Sequence, residues 1–331
     1  MRYRELIGLG GVALLVPLGA WAQNIVSARA GLIHHSDGQV LLNEKPVVRK
    51  LAQFQEIKET EYLRTGRGRA EVLLTPGIFL RLGEDSQAQM LSSRLTDVRL
   101  RLLSGAAVIE ADEMEKSQAV TIVSGAAEVR LLRAGLYRLD AAKDASPRLR
   151  VFAGEALVRA PRGEFRVKNK KEIGLEGDFQ IEKFLAEDTD ALDRWSKRRA
   201  SYLSIASVSA GRMAYNSGSS WDRSQWAWNP FFGMYTFLPY RNICWSPYGY
   251  GFYSPQAVYY LYNPPRFSTP SQMAARGSGY NSQYGYNTVA PTGGGTSGVV
   301  ASSAGGGGGA VGGGGPTVSR GGDTGGGGAR R

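Results

Sequence analysis

Residues 25 to 179 form one short apolar run after another, and this pattern constrains the fold more than any other feature. Runs of about five residues recur about every ten residues, which is typical of a sandwich, a barrel or a solenoid-like β-domain. The sequence therefore predicts an all-β domain over residues 23–186. Turn signals separate the runs: Asp37-Gly38, Gly66-Arg67-Gly68, Pro76-Gly77, Gly105 and Gly125.

Several of these runs alternate between apolar and charged residues. In Val98-Arg99-Leu100-Arg101-Leu102 the apolar side chains and the arginines point to opposite faces, because successive strand side chains alternate. Phe79-Leu80-Arg81-Leu82 and Leu149-Arg150-Val151 repeat the pattern. One face should pack on a core while the other meets water, which suits antiparallel pairing. We expect an antiparallel sandwich or a solenoid-like sheet.

The hydrophobic period changes near residue 187. Asp188-Thr189-Asp190 offers residue types that cap a helix and suit its positive end. Leu192, Trp195 and Tyr202 then recur at helical spacing. The sequence predicts one amphipathic helix over residues 187–207. It should dock on the sheet or close the end of the domain, and a partner-binding helix is the alternative.

Residues 208–268 combine many aromatic side chains with Gly, Pro, Ser and Asn, and they show no regular period. Such a segment is too hydrophobic to stay fully disordered, so we predict an irregular cover over the β-domain, with prolines fixing its turns. Tyrosine and tryptophan also suit recognition surfaces, so a ligand surface is the second interpretation. Its candidate binding residues are Trp221, Trp226 and Trp228.

The C-terminal segment is rich in Gly and Ser. Many of the 44 glycines fall after residue 268, where large apolar residues are few. A segment of this composition cannot bury enough apolar surface to fold. We predict a disordered tail over residues 269–331.

The N-terminus has the features of a secretory signal peptide. Two arginines precede an apolar stretch from Leu6 to Leu18, and Ala20-Trp21-Ala22 matches an A-x-A cleavage site. The apolar stretch is too short to span a bilayer comfortably, and no later segment is apolar enough. We therefore predict cleavage after residue 22, with a periplasmic or secreted product that has no membrane span.

The chain is basic, with a formal net charge of +11. Its Lys and Arg residues are spread among 29 acidic residues rather than gathered in one run. For an exported protein, an anionic envelope polymer is a more available partner than nucleic acid, which we do not expect it to bind. Strand residues that could meet such a polymer are Arg69, Arg81, Arg99 and Arg101.

The sequence predicts no enzyme, cofactor or metal site. The two histidines, His34 and His35, are adjacent, and in a strand they point to opposite faces. The acidic group from Glu110 to Glu115 is predicted to be a charged hairpin loop rather than a catalytic pair. Cys244 is the one cysteine, and we expect it to be buried among aromatic neighbours.

The run from Leu63 to Gly77, LRTGRGRAEVLLTPG, resembles the core motif of the FecR domain. Val98 to Glu110, Gly135 to Arg138 and Leu149 to Val158 are similar to the later strand motifs of that family. The resemblance covers about residues 40–165, and it implies an extracytoplasmic, non-catalytic β-domain. Sigma-regulating FecR proteins have a cytoplasmic segment and one membrane span. Neither is apparent here, so the resemblance implies a free binding module.

Together these features predict an exported, non-catalytic FecR-domain protein. Its expected partner is an envelope protein or an anionic envelope polysaccharide. The alternative function is a periplasmic signalling component that works with a separate membrane protein or sigma-factor system.

Overall fold

The computed structural model describes residues 30–48, 53–142, 145–185, 190–218 and 221–264. The predicted signal peptide (1–22) and the predicted Gly-rich tail (269–331) lie outside the described residues. Within those described ranges, no helix combines the length and the apolar character needed to cross a membrane.

The described chain begins with a large β-sheet that folds back on itself. The prediction of an all-β domain is confirmed. The sheet consists of β1 (Leu32–Leu42), β2 (Lys45–Pro46), β3 (Tyr62–Leu73), β4 (Ile78–Leu82), β5 (Gln87–Arg94), β6 (Asp97–Ala111), β7 (Val120–Ser124), β8 (Ala127–Leu131), β9 (Gly135–Ala141), β10 (Arg148–Ala153), β11 (Glu155–Ala160), β12 (Gly163–Lys168), β13 (Lys171–Gly174) and β14 (Ile181–Lys183).

Four of these strands close a circuit around the core. The first half of β3 and the first half of β6 both pair with β5, and their second halves both pair with β4. These pairs are antiparallel, whereas β6 and β7 are parallel. The sheet continues through β7, β8, β11 and β12 on one side and through β1 and β2 on the other. The core includes Val72, Leu80, Leu100, Ile109 and Tyr137.

Strand β6 changes the phase of its side chains at Gly105. Before this glycine the core-facing side chains are at even positions, such as Leu100 and Leu102. After it they are at odd positions, such as Ala107 and Ile109. A shift of one residue turns every later side chain to the opposite face.

Only glycine fits at position 105. Its φ is +83°, and a Cβ there would lie 2.2 Å from the Oγ of Ser86. As a result, the first half of β6 turns Arg99 and Arg101 away from the core, and the second half turns Glu110 away from it.

Three of the predicted turns lie inside strands instead, one of them at Gly105 in β6. Asp37-Gly38 in β1 and Gly66-Arg67-Gly68 in β3 belong to paired strands, and the register shifts by one residue next to Gly38. Gly38 has φ +69°, and a glycine with positive φ serves a bulge as well as a turn. Pro76-Gly77 and Gly125 form turns, as predicted.

The predicted helix over residues 187–207 is present but longer. Helix α1 (Ala191–Asn216) begins at a capping box, in which Asp190 accepts hydrogen bonds from the backbone N–H groups of Leu192 and Asp193. Its second half is rich in serine, and Gly211 weakens it further, so local propensity does not predict it. Packing supplies the stability, because a Cβ at Gly211 would lie 2.8 Å from Val258.

Residues 208–268, predicted to be irregular, contain two β-hairpins and a second helix. These elements are β15 (Gln225–Asn229), β16 (Met234–Leu238), β17 (Ile243–Trp245), β18 (Gly251–Tyr253) and α2 (Pro255–Tyr262). They cover the sheet: Phe79 of β4 lies 5.1 Å from Trp226 and 6.2 Å from Phe252, measured between ring centroids. Cys244 is half-buried against this aromatic cluster.

A row of buried charges crosses the sheet beneath these elements. Glu71 of β3 lies opposite Arg81 of β4. Arg81 donates hydrogen bonds to Glu71, at 2.8 Å, and to Glu110 of β6. All three side chains are fully buried.

Three further residues, one each from α1, β1 and β16, complete this row. Arg199 of α1 donates a hydrogen bond to Glu71 at 2.8 Å. The Nδ1 atom of His34 lies 2.8 Å from the same carboxylate, while its Nε2 atom accepts a hydrogen bond from the backbone N–H of Tyr235. Burial alone would raise the pKa of Glu71, but Arg199, Arg81 and His34 hold it well below its usual range.

At the start of α1, a second ion pair fixes the helix. Arg138 of β9 donates to the carboxylates of Asp193 and Asp190, at 2.7 Å in each case. Burial would raise the pKa of Asp190, but hydrogen bonds from Arg138 and from the helix backbone lower it to about 2. Helix α1 is thus anchored to the sheet at two points.

Glu110 and Asp112, predicted to belong to a charged loop, are buried instead. They follow the phase change in β6 and therefore face α1 and β17 rather than water. The Oγ of Ser246 donates a hydrogen bond to Glu110. Burial, together with the neighbouring Glu110, raises the pKa of Asp112 well above its usual range.

We predict that Arg199→Met lowers the free energy of unfolding by about 3 kcal/mol, because it removes a guanidinium group from the buried carboxylate of Glu71. Urea denaturation measures the loss. Arg198→Met is the matched control, since Arg198 is exposed on the adjacent position of the same helix. Its effect should stay within about 0.5 kcal/mol. Equal effects of the two substitutions would contradict an anchoring role for Arg199.

We predict that Asp112→Asn changes how stability depends on pH. A raised pKa means that the folded protein keeps a proton that the unfolded chain releases above about pH 4. The contribution of Asp112 to stability is therefore fully present below that pH and falls as the pH rises. Asparagine cannot ionise, so the stability of the variant relative to the parent protein should increase as the pH rises above about 4.

Urea denaturation at a series of pH values measures this gain. Asp178→Asn is the control, because Asp178 forms an exposed ion pair with Arg162. An unchanged pH profile in Asp112→Asn would show that Asp112 is not a buried, protonated carboxyl.

Candidate functional site

The first half of β6 presents two arginines to solvent. Val98 and Leu100 face the core, so Arg99 and Arg101 point away from it. Strands β7, β8 and β11 extend the same surface sideways. The cover formed by α1 and the hairpins lies over the second half of β6, where Glu110 is buried.

Strand register brings further arginines beside these two. Arg99 is paired with Thr121 of β7, and Thr121 is paired with Arg130 of β8. Neighbouring strands are about 4.8 Å apart, so Arg99 and Arg130 lie about 10 Å apart on one face. The next row contains Arg101 of β6, Val123 of β7, Glu128 of β8 and Arg159 of β11.

Two shallow grooves of about 440 Å³ and 350 Å³ run along these rows. They share Asp97, Arg99 and Glu128, so they form one continuous surface. We call this surface the arginine face, and its arginines are Arg94, Arg99, Arg101, Arg130 and Arg159.

The arginines of this face differ in their partners. Arg99 donates a hydrogen bond to Glu128 at 2.8 Å, and Arg159 donates one to Glu164 at 2.7 Å. Arg94, Arg101 and Arg130 are exposed, and none of them forms an ion pair with any other residue of the described ranges. Their guanidinium groups are therefore free to bind an anion.

The chemistry of this face suits oxyanions. A guanidinium group presents a planar fork of donors that matches a carboxylate, a sulfate or a phosphate. Small-molecule sites usually bury most of their ligand in a deep cavity. The grooves here are open and span several strands, so the arrangement suits an extended ligand better than a compact one.

The other two predicted arginines lie elsewhere. Arg69 pairs with Glu84 at the surface, next to the turn that follows β4. Arg81 is fully buried between Glu71 and Glu110, so the prediction that it meets a polymer at the surface is wrong. Arg81 and Arg101 occupy similar alternating patterns, and only the cover of α1 and the hairpins makes them different.

The three predicted tryptophans do not form a ligand surface with these arginines. Trp226 is 7% exposed and lies among the buried rings of the cover. Trp228 is partly buried, with its ring 5.2 Å from that of Tyr235. Trp221 is partly buried against Ala214 and Leu238. These three residues therefore fit the interpretation that the aromatic segment packs on the β-domain, rather than the interpretation that it forms a ligand surface.

Arg94, Arg130 and Arg159 belong to the arginine face but are not among the binding residues predicted from the sequence. Arg130 stands in an alternating run, Glu128-Val129-Arg130-Leu131, which predicts its exposure, whereas Arg159 follows the consecutive apolar residues Leu157 and Val158. The sequence does not predict which residues lie beside these arginines on other strands, because register between distant strands is a tertiary property.

The two histidines have separate environments. His34 belongs to the buried charged row, and the ring of His35 lies 6.2 Å from that of Trp195. Across the part of the chain that the structure describes, no cluster of three His, Cys, Asp or Glu side chains could hold a metal ion.

No protein-family model matches the chain, and no curated protein matches it. Two crystal structures of one protein from Parabacteroides distasonis, at 2.50 Å and 1.65 Å resolution, show a limited structural similarity. That protein is described as a candidate anti-sigma factor. Each alignment has a TM-score of 0.33 and 12% sequence identity, and covers 42% of this chain and 64% of the other. The similarity thus spans less than two thirds of that protein, and the FecR resemblance and the signalling alternative stay predictions.

Proposed function

We propose that this chain is an exported, non-catalytic binding protein whose arginine face holds a linear polyanion, such as a carboxylated or sulfated envelope polysaccharide. The observation that carries the proposal is the set of exposed guanidinium groups at Arg94, Arg101 and Arg130, which have no ionic partner in the described part of the chain. They lie on one continuous surface that crosses β5, β6 and β8.

The distribution of charge supports a polymer rather than one small anion. Arg94, Arg101 and Arg130 stand on β5, β6 and β8, so together they span about three strand spacings, or about 14 Å, which is wider than one small anion. A chain of repeating anionic groups could contact them in succession. Glu128 stands in the row of Arg101 and Arg159 and pairs with Arg99 of the other row, so an anion must avoid its carboxylate and follow the unpaired arginines.

We predict that Arg101→Gln combined with Arg130→Gln weakens binding to a polyanion by about a hundredfold. Each lost guanidinium–oxyanion contact is worth about tenfold in affinity. Calorimetric titration of the purified mature protein with polygalacturonate and with dextran sulfate measures the effect, and uncharged dextran is the neutral ligand. Binding should also weaken with salt, and less steeply in the variant.

The matched control is Arg64→Gln combined with Arg67→Gln, which removes the same charge from exposed positions on β3. This control should bind as tightly as the parent protein. If the parent binds neither polyanion at low salt, or if both double variants lose affinity equally, the arginine face is not a polyanion site.

Export is a separate part of the proposal. We predict that a bacterium expressing the full chain releases a product that begins at Gln23, because Ala20-Trp21-Ala22 precedes it as a cleavage site. Mass spectrometry of the periplasmic and culture fractions measures the N-terminus. Ala22→Arg should block the cleavage. A product that keeps Met1 inside the cytoplasm would contradict export.

A further inference from the structure

The outward surface of α1 carries a stripe of basic and apolar side chains. Arg198, Tyr202, Ile205 and Arg212 recur at intervals of three, four and seven residues, so they lie along one side of the helix. Tyr202 and Ile205 are each 55% exposed. The opposite side of the helix is the one that packs on the sheet and carries Arg199.

The tip of the β15–β16 hairpin places two phenylalanines beside this stripe. Phe231 is 81% exposed, and Phe232 is also exposed. The side-chain oxygen of Asn229 accepts hydrogen bonds from the backbone N–H groups of both phenylalanines, at 3.0 Å and 3.3 Å. Asn229 is itself buried and donates to the carbonyl of Ala206 in α1. The tip is therefore held in place with its aromatic rings in solvent.

Helix α2 adds a third element to the same surface. Its Tyr262 is 55% exposed and lines the groove beside α1. The guanidinium group of Arg212 lies 5.1 Å from the centre of the Tyr262 ring. A groove of about 610 Å³ separates α1 from the hairpin tip, and Ile205, Arg212, Phe231, Phe232 and Tyr262 are among its lining residues.

We call this surface the aromatic ridge, defined by Tyr202, Ile205, Arg212, Phe231, Phe232 and Tyr262. An exposed apolar surface of this kind, on three elements, marks an interaction site in a soluble protein. Acidic residues are scarce around it: the sequence from residue 194 to 264 contains seven Lys or Arg residues, of which Arg199 is buried, and a single acidic residue, Asp222. The lining of the groove contains one arginine and no carboxylate.

We propose that the aromatic ridge binds the surface of an anionic lipid bilayer. Phe231 protrudes from a hairpin tip rather than lining a recess, which suits insertion between lipid headgroups. Tyrosines are favoured at the level of the headgroups, where the ring is apolar and the hydroxyl stays wet. Lys197, Arg198 and Arg212 supply the cations that attract an anionic surface.

This proposal does not rest on polymer binding by the arginine face. The two surfaces use different residues: strands β5 to β8 and β11 carry one, and α1, α2 and the β15–β16 tip carry the other. Substitutions in each surface therefore separate the two activities.

Co-sedimentation of the mature protein with vesicles tests the proposal. The vesicles contain either phosphatidylcholine alone or phosphatidylcholine mixed with phosphatidylglycerol. We expect binding to the mixed vesicles and at least tenfold weaker binding to phosphatidylcholine alone. Phe231→Ser combined with Phe232→Ser should reduce partition into the mixed vesicles by about a hundredfold, because burying one phenylalanine side chain is worth about tenfold or more.

Leu185→Ser is the matched apolar control, since Leu185 is 76% exposed and does not line the groove. It should bind vesicles like the parent protein. Arg101→Gln with Arg130→Gln should do so too, although it loses polyanion binding. Because Phe232 is only 38% exposed, cooperative thermal unfolding of the double variant must show that it is still folded.

Three results would overturn the proposal: no sedimentation of the parent protein with mixed vesicles at low salt, unchanged sedimentation of the phenylalanine variant, or loss caused by the arginine-face variant alone. The first result would assign the aromatic ridge to contact with another protein. The last would show that vesicles bind as a polyanion at the arginine face.

Discussion

The buried line of Glu71, Arg81 and Glu110 is the constraint on which the rest of the structure depends. A charge removed from water is tolerated inside a protein only when its partners surround it, and losing one partner leaves a costly buried charge. Strands β3 and β6 provide Arg81 of β4 with both carboxylates, but these three strands leave Glu71 without its full set of partners. Arg199 of α1 and His34, which is fixed in turn by Tyr235 of β16, complete it. The positions of α1 and of the β15–β16 hairpin therefore supply the partners that the buried carboxylate of Glu71 requires.

Strand β6 contributes both to the buried charged row and to the exposed arginine face. In β6 the core-facing side chains change from even to odd positions at Gly105. The first half leaves Arg99 and Arg101 in water, and the second half delivers Glu110 to the dry interface with α1. The same residue type consequently has opposite roles: Arg81 is a structural cation and Arg101 is an exposed one. Arg81 has the structural role because α1 and the hairpins cover it, whereas Arg101 stays exposed because they do not.

Local pattern in the sequence predicts the all-β domain, the cap of α1 and the outward direction of Arg99 and Arg101, because each depends on neighbours within a few residues. It does not predict that Asp37-Gly38 is a bulge, since a glycine with positive φ suits both a bulge and a turn. It fails for the second half of α1, which packing stabilises against weak propensity. It also fails for Arg81, whose burial depends on Arg199, 128 residues from Glu71 along the chain. The neighbours of Arg130 and Arg159 depend on register between strands, which no local signal specifies.

The charged row also has a consequence for the order in which the molecule assembles. The hydrogen bond between His34 and Tyr235 joins residues 201 positions apart, and no early step of folding can form it. Until the later segments arrive, Glu71, Arg81 and Glu110 must stay hydrated on an open face of the sheet. Contacts over such sequence distances form slowly, and a partly folded sheet with a bare apolar face would tend to aggregate meanwhile. The charged row is therefore complete only when α1 and the β15–β16 hairpin have joined the sheet.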